Sequence, residues 1–244
     1  KLSAIAALVM ALAGSSAHAD YRGHDKAPAL LENLRLNYGF SGEELEAVIT
    51  ALGEAQQLPQ LVQAEIKAPE KTETWTQYSK RVDDARVKGG VKAIQENPEL
   101  FARAEAEFGV PAPVIAAIMG VETRYGAVTG KIRVLDALAT QGFDHPTRTP
   151  FFSMELAEFF AFCRDFGYEP ASLLGSYAGA MGVAQFMPSN YRRLALDYNG
   201  DGHRDLWNIE DAIGSIANYF VRYRPAQAWQ RGQPLAVRAT VNGE

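Results

Sequence analysis

Apolar side chains recur at helical spacing along most of this chain, from residue 25 to about residue 223, and this periodicity is the strongest constraint on its fold. Ser41 and Glu44 predict a capping box, and the apolar residues that follow them share one face of a helix. Sustained alternation with a period of two, the pattern of a half-buried strand, begins only after residue 230. The sequence therefore predicts a mostly α-helical fold.

The same pattern predicts where individual helices begin and end. A short helix is expected from Leu58 to Ile66, followed by a polar break over residues 69–72. A longer amphipathic stretch runs from Arg81 to Phe108. Gly89-Gly90 and Asn97-Pro98 are expected to interrupt it, because glycine and proline disfavour a helix interior.

The two ends of the chain have patterns of their own. Lys1, the apolar stretch from Leu2 to Gly14 and Ala17-His18-Ala19 are typical of a secretory signal peptide cleaved before Asp20. That apolar run is too short to span a bilayer, and no cysteine follows it to carry a lipid anchor, so we expect an exported protein without an integral membrane segment. Residues 234–244 alternate like a strand that runs into a glycine turn.

Charge and cysteine content exclude several classes of function. The chain has 24 Lys+Arg and 29 Asp+Glu, a net charge of -5, and its basic residues are scattered, so no nucleic-acid partner is expected. Its one cysteine, Cys163, excludes an internal disulfide and a zinc site with paired cysteines. Because Cys163 follows an apolar run, we expect it to be a buried core residue.

A single carboxylate lies in the very apolar segment from Val110 to Gly126. On a helix, this residue, Glu122, shares a face with Ile118, Met119 and Tyr125. Apolar surroundings disfavour the charged form and raise the pKa of a carboxyl group, as a general acid near neutral pH requires. The structural alternative is a glutamate that pairs with the neighbouring Arg124 or is simply exposed at the helix end.

The segment from Ser176 to Tyr191 combines several small residues with hydrogen-bonding side chains. Small residues let a ligand approach the backbone closely, and Ser176 and Gln185 could orient a sugar amide. Close helix packing is the alternative explanation: we expect Met181, Phe186 and Met187 to lie in the core, but not Ser176 and Gln185.

Together, Gly120–Gly126 and Ser176–Ser189 resemble the signature of the membrane-bound lytic murein transglycosylase B family, and the resemblance extends from about residue 25 onward. It implies a lysozyme-like helical catalytic domain that cleaves the β-1,4 bond between MurNAc and GlcNAc in peptidoglycan. The product is a 1,6-anhydromuramoyl sugar, formed without consuming water. The periplasm is the implied location, peptidoglycan glycan strands are the implied substrate, and cell-wall synthesis proteins are candidate partners.

The resemblance also implies roles for single residues. Most glycosidases use a pair of carboxylates, whereas here Glu122 alone would protonate the leaving oxygen and then deprotonate the C6 hydroxyl. No catalytic cofactor is expected. Thr147 occupies a position where the family has a second arginine beside Arg148. The residues expected to contact substrate are Ser176, Gln185, Tyr219, Arg148 and Tyr125.

Residues 197–205 follow the opening of a calcium-binding EF-hand loop, with oxygen-bearing side chains on alternate positions. Asn208 stands at loop position twelve, where a bidentate glutamate is usual, and the resemblance implies a longer loop closed by Asp211. We expect a structural Ca²⁺, or Na⁺ in its place; an Asp/Gly-rich turn without an ion is the alternative. The expected ligands are Asp197, Asn199, Asp201, the carbonyl of His203, and Asp211.

Two alternatives to a lytic transglycosylase stay open at this point. A goose-type muramidase would use the same glutamate but deliver water, and a peptidoglycan-binding protein would keep the cleft without turnover. The expected division of the chain is a signal peptide at 1–19, a helical domain wrapping the core at 20–108, a lysozyme-like core at 109–230 with the EF-hand-like loop at 197–211, and a β segment beginning within 231–244.

Overall fold

The computed structural model describes residues 20–233, and this part of the chain is mostly helical, as predicted. The helices are α1 (Ala27–Tyr38), α2 (Gly42–Glu54), α3 (Pro59–Ile66), α4 (Pro69–Thr72), α5 (Trp75–Tyr78), α6 (Asp84–Glu96), α7 (Pro98–Phe108), α8 (Ala112–Thr123), α9 (Val134–Asp144), α10 (Thr149–Phe166), α11 (Pro188–Leu194) and α12 (Ile209–Arg222). Two short strands, β1 (Ile132–Arg133) and β2 (Leu174–Gly175), pair antiparallel, with Ile132 opposite Gly175.

The core lies around α9 and α10. All the residues from Val134 to Phe143 are buried, so α9 is enclosed on every side, including its polar residues Asp136, Thr140 and Gln141. Helix α10 packs along α9 and also contacts α1 and α11. Phe159 and Phe162 of α10 are fully buried, and each such side chain contributes about 1.5–3 kcal/mol to stability by leaving water.

The first two helices pack onto this same core. Leu34 of α1 and Leu52 of α2 are fully buried and belong to one hydrophobic cluster with α9 and α10. The Tyr21 hydroxyl donates to Asp144 over 2.7 Å, which attaches the segment before α1 to the end of α9. These contacts show the N-terminal helices covering the core; the predicted domain boundary at residue 108 stays a prediction.

Most predicted helix limits agree with the structure. The capping box of Ser41 and Glu44 begins α2 with both of its reciprocal hydrogen bonds, and Asn97 separates α6 from α7. The predicted break over 69–72 was wrong, because Pro69 begins a single helical turn that the Glu73 amide closes onto the Pro69 carbonyl.

Gly89-Gly90 does not interrupt α6, contrary to the prediction. The Tyr125 ring lies against this glycine pair: a Cβ atom on Gly89 would come within 2.4 Å of Tyr125 Cε2, and one on Gly90 within 3.0 Å of the Tyr125 hydroxyl. The two glycines therefore provide the space in which an aromatic ring docks onto an unbroken helix.

Strands β1 and β2 have no counterpart in the prediction, because two-residue strands are too short to produce an alternating pattern. The predicted signal peptide at 1–19 and the predicted strand at 234–244 lie outside the described residues. Within 20–233, no single helix has the length and apolar composition to cross a membrane; α7 and α8 meet these criteria only as a pair, which is bent by 112°.

Candidate active site

A cleft of about 980 Å³ is bounded by α8, α10, α11 and α12 and by the turn that precedes α11. Glu122, Gln185 and Tyr219, three of the residues predicted from the sequence, line it. The structure therefore brings together side chains that are almost a hundred positions apart in the chain.

Glu122 lies one residue before the end of α8, a helix that begins after Pro111 and consists mainly of small and apolar residues. Its side chain is accessible from the cleft, and it accepts no hydrogen bond that would stabilise its ionised form. The surrounding protein removes much of the water around the carboxyl group and raises its pKa, and the negative charge of Glu70 raises it further. The carbonyl end of the helix dipole also disfavours the carboxylate. Glu122 is therefore suited to hold a proton that it can donate.

Buried Thr123 connects the end of α8 to the next wall of the cleft. Its hydroxyl donates to the carbonyl oxygen of Val183 over 2.9 Å and accepts from the amide of Gly126 over 2.9 Å. The chain then turns sharply, with Arg124 and Tyr125 at φ values of 51° and 62°. Glu122 is thus held beside the segment that carries Gln185.

Gln185 lies in a tight turn closed by two backbone hydrogen bonds between Met181 and Phe186. Its backbone is left-handed, with φ at 49°. The side-chain amide nitrogen donates to the carbonyls of Thr129 and Gly182 over 3.1 and 2.9 Å. These bonds orient the amide group so that its oxygen is the atom left to accept a hydrogen bond.

Tyr219 enters the cleft from α12. Its ring stacks on that of Tyr223, with centroids 4.4 Å apart and planes 13° apart, and it contacts the Phe186 ring at 5.4 Å. Residues four apart share a helix face, so the two tyrosines form a continuous aromatic surface.

Ser176 and Tyr125 do not line this cleft. The Ser176 hydroxyl oxygen accepts hydrogen bonds from the amides of Ala178 and Ala180 over 3.3 and 3.0 Å and so shapes its own loop. Tyr125 donates its hydroxyl hydrogen to the carbonyl of Arg86 over 2.6 Å and packs between α6 and α8. The structure gives both residues packing roles, and their contact with substrate stays a prediction.

Arg148 is outside the cleft as well and belongs to an ionic network centred on Glu65. Glu65, which is 4% exposed, contacts Arg148, Lys71 and His145, the last at 3.0 Å. Burial alone would raise the pKa of Glu65, but hydrogen bonds from these three partners outweigh it and lower the pKa to about 2. The network joins α3 and α4 to the start of α10 and holds Arg148 in place.

Two more carboxyl groups lie along the cleft, but both have partners. Glu155 is 2% exposed and accepts hydrogen bonds from the hydroxyl and the amide of Ser189 over 2.6 and 3.0 Å. Burial raises its pKa, which the bonds from Ser189 oppose. Glu158 pairs with Arg192 over 2.5 Å. Glu122 is therefore the cleft carboxyl that is both accessible and free of such partners within residues 20–233.

The predicted calcium loop connects α11 to α12, with oxygen ligands of the hard type that Ca²⁺ prefers. Asp197 accepts hydrogen bonds from the amides of Gly200, Asp201 and Gly202, and fully buried Asp211 accepts three from Tyr198, Asn199 and Asp205. In the described part of the chain, no three His, Cys, Asp or Glu side chains converge as a metal cluster. Besides its aspartates, the proposed ligand set contains the side-chain amide oxygen of Asn199 and the carbonyl oxygen of His203. Both are oxygen donors of the kind that Ca²⁺ binds, so the donor chemistry fits this cation.

Comparison with known proteins identifies the family. A model described as "Transglycosylase SLT domain" matches residues 24–244. The chain belongs to this transglycosylase family. Membrane-bound lytic murein transglycosylase B of Escherichia coli K12 is 38% identical to it over 232 residues, which make up 92% of this chain and 63% of that protein. The chain thus spans less than two thirds of the length of this relative.

Solved structures of lytic transglycosylases share the fold. SltB1 from Pseudomonas aeruginosa is 40% identical with a TM-score of 0.79, and the match covers 88% of this chain and 69% of that one. Escherichia coli Slt35 in complex with calcium is 38% identical with a TM-score of 0.77, covering 88% and 67%. These matches confirm the family that the two motifs resemble and the mostly helical, lysozyme-like fold.

In this SLT-domain chain, the sequence motifs missed the far end of the cleft. The lining there includes Glu155, Ser189, Arg193, Tyr223 and Arg224. Ser189 is the last residue of the Ser176–Ser189 motif but was not selected as a site residue. Tyr219 and Tyr223 are four positions apart, and this spacing could have indicated that they share a helix face. Nothing in the sequence connects Glu155 with Arg224, because α10 and α12 border one cleft only through the packing of each on α11.

Proposed function

We propose that this chain is a peptidoglycan lytic transglycosylase that cleaves the MurNAc–GlcNAc β-1,4 bond and forms 1,6-anhydromuramoyl ends. The observation that carries this proposal is Glu122, an accessible cleft carboxyl with a raised pKa and no hydrogen bond that favours its ionised form. Membership of the SLT family and the name of the Escherichia coli relative support murein as the substrate.

Glu122 begins the reaction protonated and donates its proton to the glycosidic oxygen as the bond from C1 to that oxygen breaks. The acetamido group of the substrate stabilises the positive charge at C1. Glu122, now a carboxylate, accepts the proton of the C6 hydroxyl while that oxygen bonds to C1. The carboxyl group ends in its starting state, and no water is consumed.

The surroundings of Glu122 support a one-carboxylate mechanism. A retaining or inverting hydrolase needs a second carboxylate as nucleophile or base. Glu155 is buried beneath Ser189, and Glu158 is paired with Arg192, so neither is free for that task. Neutral Glu122 also lacks a neighbouring cation that would hold it ionised.

Substrate contacts follow from the polar atoms that remain available. The oxygen of the Gln185 amide can accept a hydrogen bond from a sugar hydroxyl or acetamido group, since its nitrogen is occupied by backbone carbonyls. Tyr219 offers an aromatic face to a sugar ring. Ser176, Arg148 and Tyr125 complete the proposed contacts, and the peptide carried by MurNAc is the group assigned to Arg148.

The loop over 197–211 is the proposed calcium site, with Asp197, Asn199, Asp201, the His203 carbonyl and Asp211 as ligands. Its role is structural, because bound Ca²⁺ would brace the loop that leads into α12, the helix of Tyr219. Oxygen donor chemistry and the solved Slt35 structure in complex with calcium support it. Export to the periplasm is part of the same proposal.

Digestion of purified sacculi tests the proposed reaction. Mass spectrometry is expected to find muropeptides that end in anhydromuramic acid. Reducing muramic acid ends would identify a muramidase instead, and binding to sacculi without soluble products would identify a peptidoglycan-binding protein. Either result contradicts the proposal.

A further inference from the structure

Two arginines at the far end of the cleft have no acidic partner within residues 20–233. Arg193 lies in the last turn of α11, and Arg224 lies just beyond α12; both are exposed and both line the cleft that holds Glu122. No carboxylate oxygen of the described residues lies within 4.0 Å of either guanidinium group. Neighbouring Arg192, by contrast, pairs with Glu158 at 2.5 Å and Asp165 at 2.9 Å.

The two guanidinium groups lie close to the same aromatic ring. The Arg193 and Arg224 Cζ atoms lie 5.6 and 5.3 Å from the centre of the Tyr223 ring, which itself stacks on Tyr219. Arg193 also donates to the Asn190 side-chain oxygen over 3.2 Å. Contact with an aromatic face restricts an arginine side chain, so less entropy is lost when it binds an anion.

Their positive charge reaches the cleft surface. Burial raises the pKa of Tyr219 to about 12, and the positive charges of Arg224 and Arg193 oppose this rise. The cleft lining contains three arginines and three glutamates, but Glu158 is paired with Arg192 and Glu155 is buried beneath Ser189. A planar guanidinium group is well shaped to bind a carboxylate through two parallel hydrogen bonds.

We propose that Arg193 and Arg224 form a subsite for a carboxylate of the stem peptide attached to MurNAc, at the end of the cleft beyond Tyr219. This inference rests on the proposed function, because the cleft must hold a glycan strand. Stem peptides carry free carboxylates, whereas the GlcNAc units of the same strand are neutral. The subsite would favour strands that still bear peptides over strands from which an amidase has removed them.

Kinetics on two forms of the glycan test this subsite in the full chain. Arg193→Gln and Arg224→Gln are each expected to raise KM about fivefold on peptide-bearing strands, to leave kcat nearly unchanged and to have little effect on amidase-stripped strands. Arg222→Gln is the matched control, because it removes the same charge from an exposed position of α12 that does not line the cleft. The KM effect is also expected to shrink at high salt.

Equal effects on both forms of the strand would overturn the proposal, since stripped strands keep only the lactyl carboxylate of MurNAc. Unchanged KM on peptide-bearing strands would overturn it as well. Binding of a peptide-bearing muropeptide to the Glu122→Gln variant, with and without the arginine substitutions, separates this inference from the proposed function. That affinity is read without turnover, so it reports on the subsite even if the released products are reducing sugars.

Discussion

The Thr123 hydroxyl donates to the carbonyl oxygen of Val183 over 2.9 Å, in a position where both residues are buried. This one bond joins the end of the helix that carries Glu122 to the turn that carries Gln185. The distance between the proposed proton donor and the proposed sugar contact therefore depends on a side chain that does not line the cleft.

Thr123→Val keeps the shape of the side chain but removes this bond and the acceptor of the Gly126 amide. We expect it to lower the free energy of unfolding by about 1–3 kcal/mol, because a buried carbonyl and a partly buried amide lose their partner. Thr123→Ser restores the hydroxyl and is the control. Denaturant unfolding measures the difference, and equal losses in the two variants would contradict this role of the hydroxyl.

Glu122→Gln is expected to reduce the release of anhydro products by at least about a hundredfold, because an amide cannot donate and recover the proton. Folding and sugar binding are expected to persist, since no hydrogen bond to the carboxyl supports the fold. Glu99→Gln, an exposed substitution in α7, is the control for charge. Full activity of Glu122→Gln would refute the whole assignment of the site.

Glu70→Gln tests how the pKa of Glu122 is set. The proposed first step needs neutral Glu122, so the rate falls as pH rises through its pKa. The negative charge of Glu70 raises that pKa, and removing it is expected to move the alkaline limb of the pH–rate profile to lower pH. Glutamine keeps an oxygen for the Tyr78 hydroxyl, which lies 3.3 Å from Glu70. An unmoved limb would mean that burial alone sets the pKa.

Glu65 is expected to contribute to stability in a defined range of pH. Its pKa of about 2 in the folded protein lies below the ordinary value near 4.3, so its contribution is complete above about pH 4.5 and is lost as pH falls toward 2. Glu65→Gln is expected to cost roughly 3 kcal/mol at neutral pH, because it leaves buried His145 and the two cations without their carboxylate. Urea unfolding at several pH values should show the gap from wild type narrowing in acid.

The calcium proposal predicts that a chelator lowers the melting temperature and that excess Ca²⁺ restores it, because an ion bound only by the folded state stabilises that state. Asp197→Asn combined with Asp201→Asn is expected to abolish the response to the ion. Asp205→Asn changes one acid of the same loop outside the proposed ligand set and is the control. An unchanged melting temperature in the wild type would favour an Asp/Gly-rich turn without an ion.

The helices and part of the candidate site could be predicted because their signals are local. The capping box before α2 and the apolar run around Glu122 each depend on residues within a few turns of one another. Gln185 was predicted from the small and hydrogen-bonding residues of its segment and Tyr219 through the resemblance to a family, and the structure places both in the cleft with Glu122.

Other features could not be predicted because they depend on pairs far apart in the chain. Gly89 predicted a helix break because its contact with the Tyr125 ring, which lies 36 positions further along the chain, is not visible in the sequence. Glu65 contacts Arg148 across more than eighty positions, and Arg193 reaches the Tyr223 ring beside Arg224 only through the packing of α11 against α12. Contacts between side chains so far apart in the chain produce no periodic pattern in a single sequence.

The docking of Tyr125 on Gly89 has a consequence for the order of folding. Two adjacent glycines cost roughly 2 kcal/mol in an isolated helix, so α6 gains little from forming before the tyrosine arrives. Tyr125 itself is positioned by the turn that ends α8. Hydrogen exchange should therefore show α6 and the end of α8 opening together as one cooperative unit.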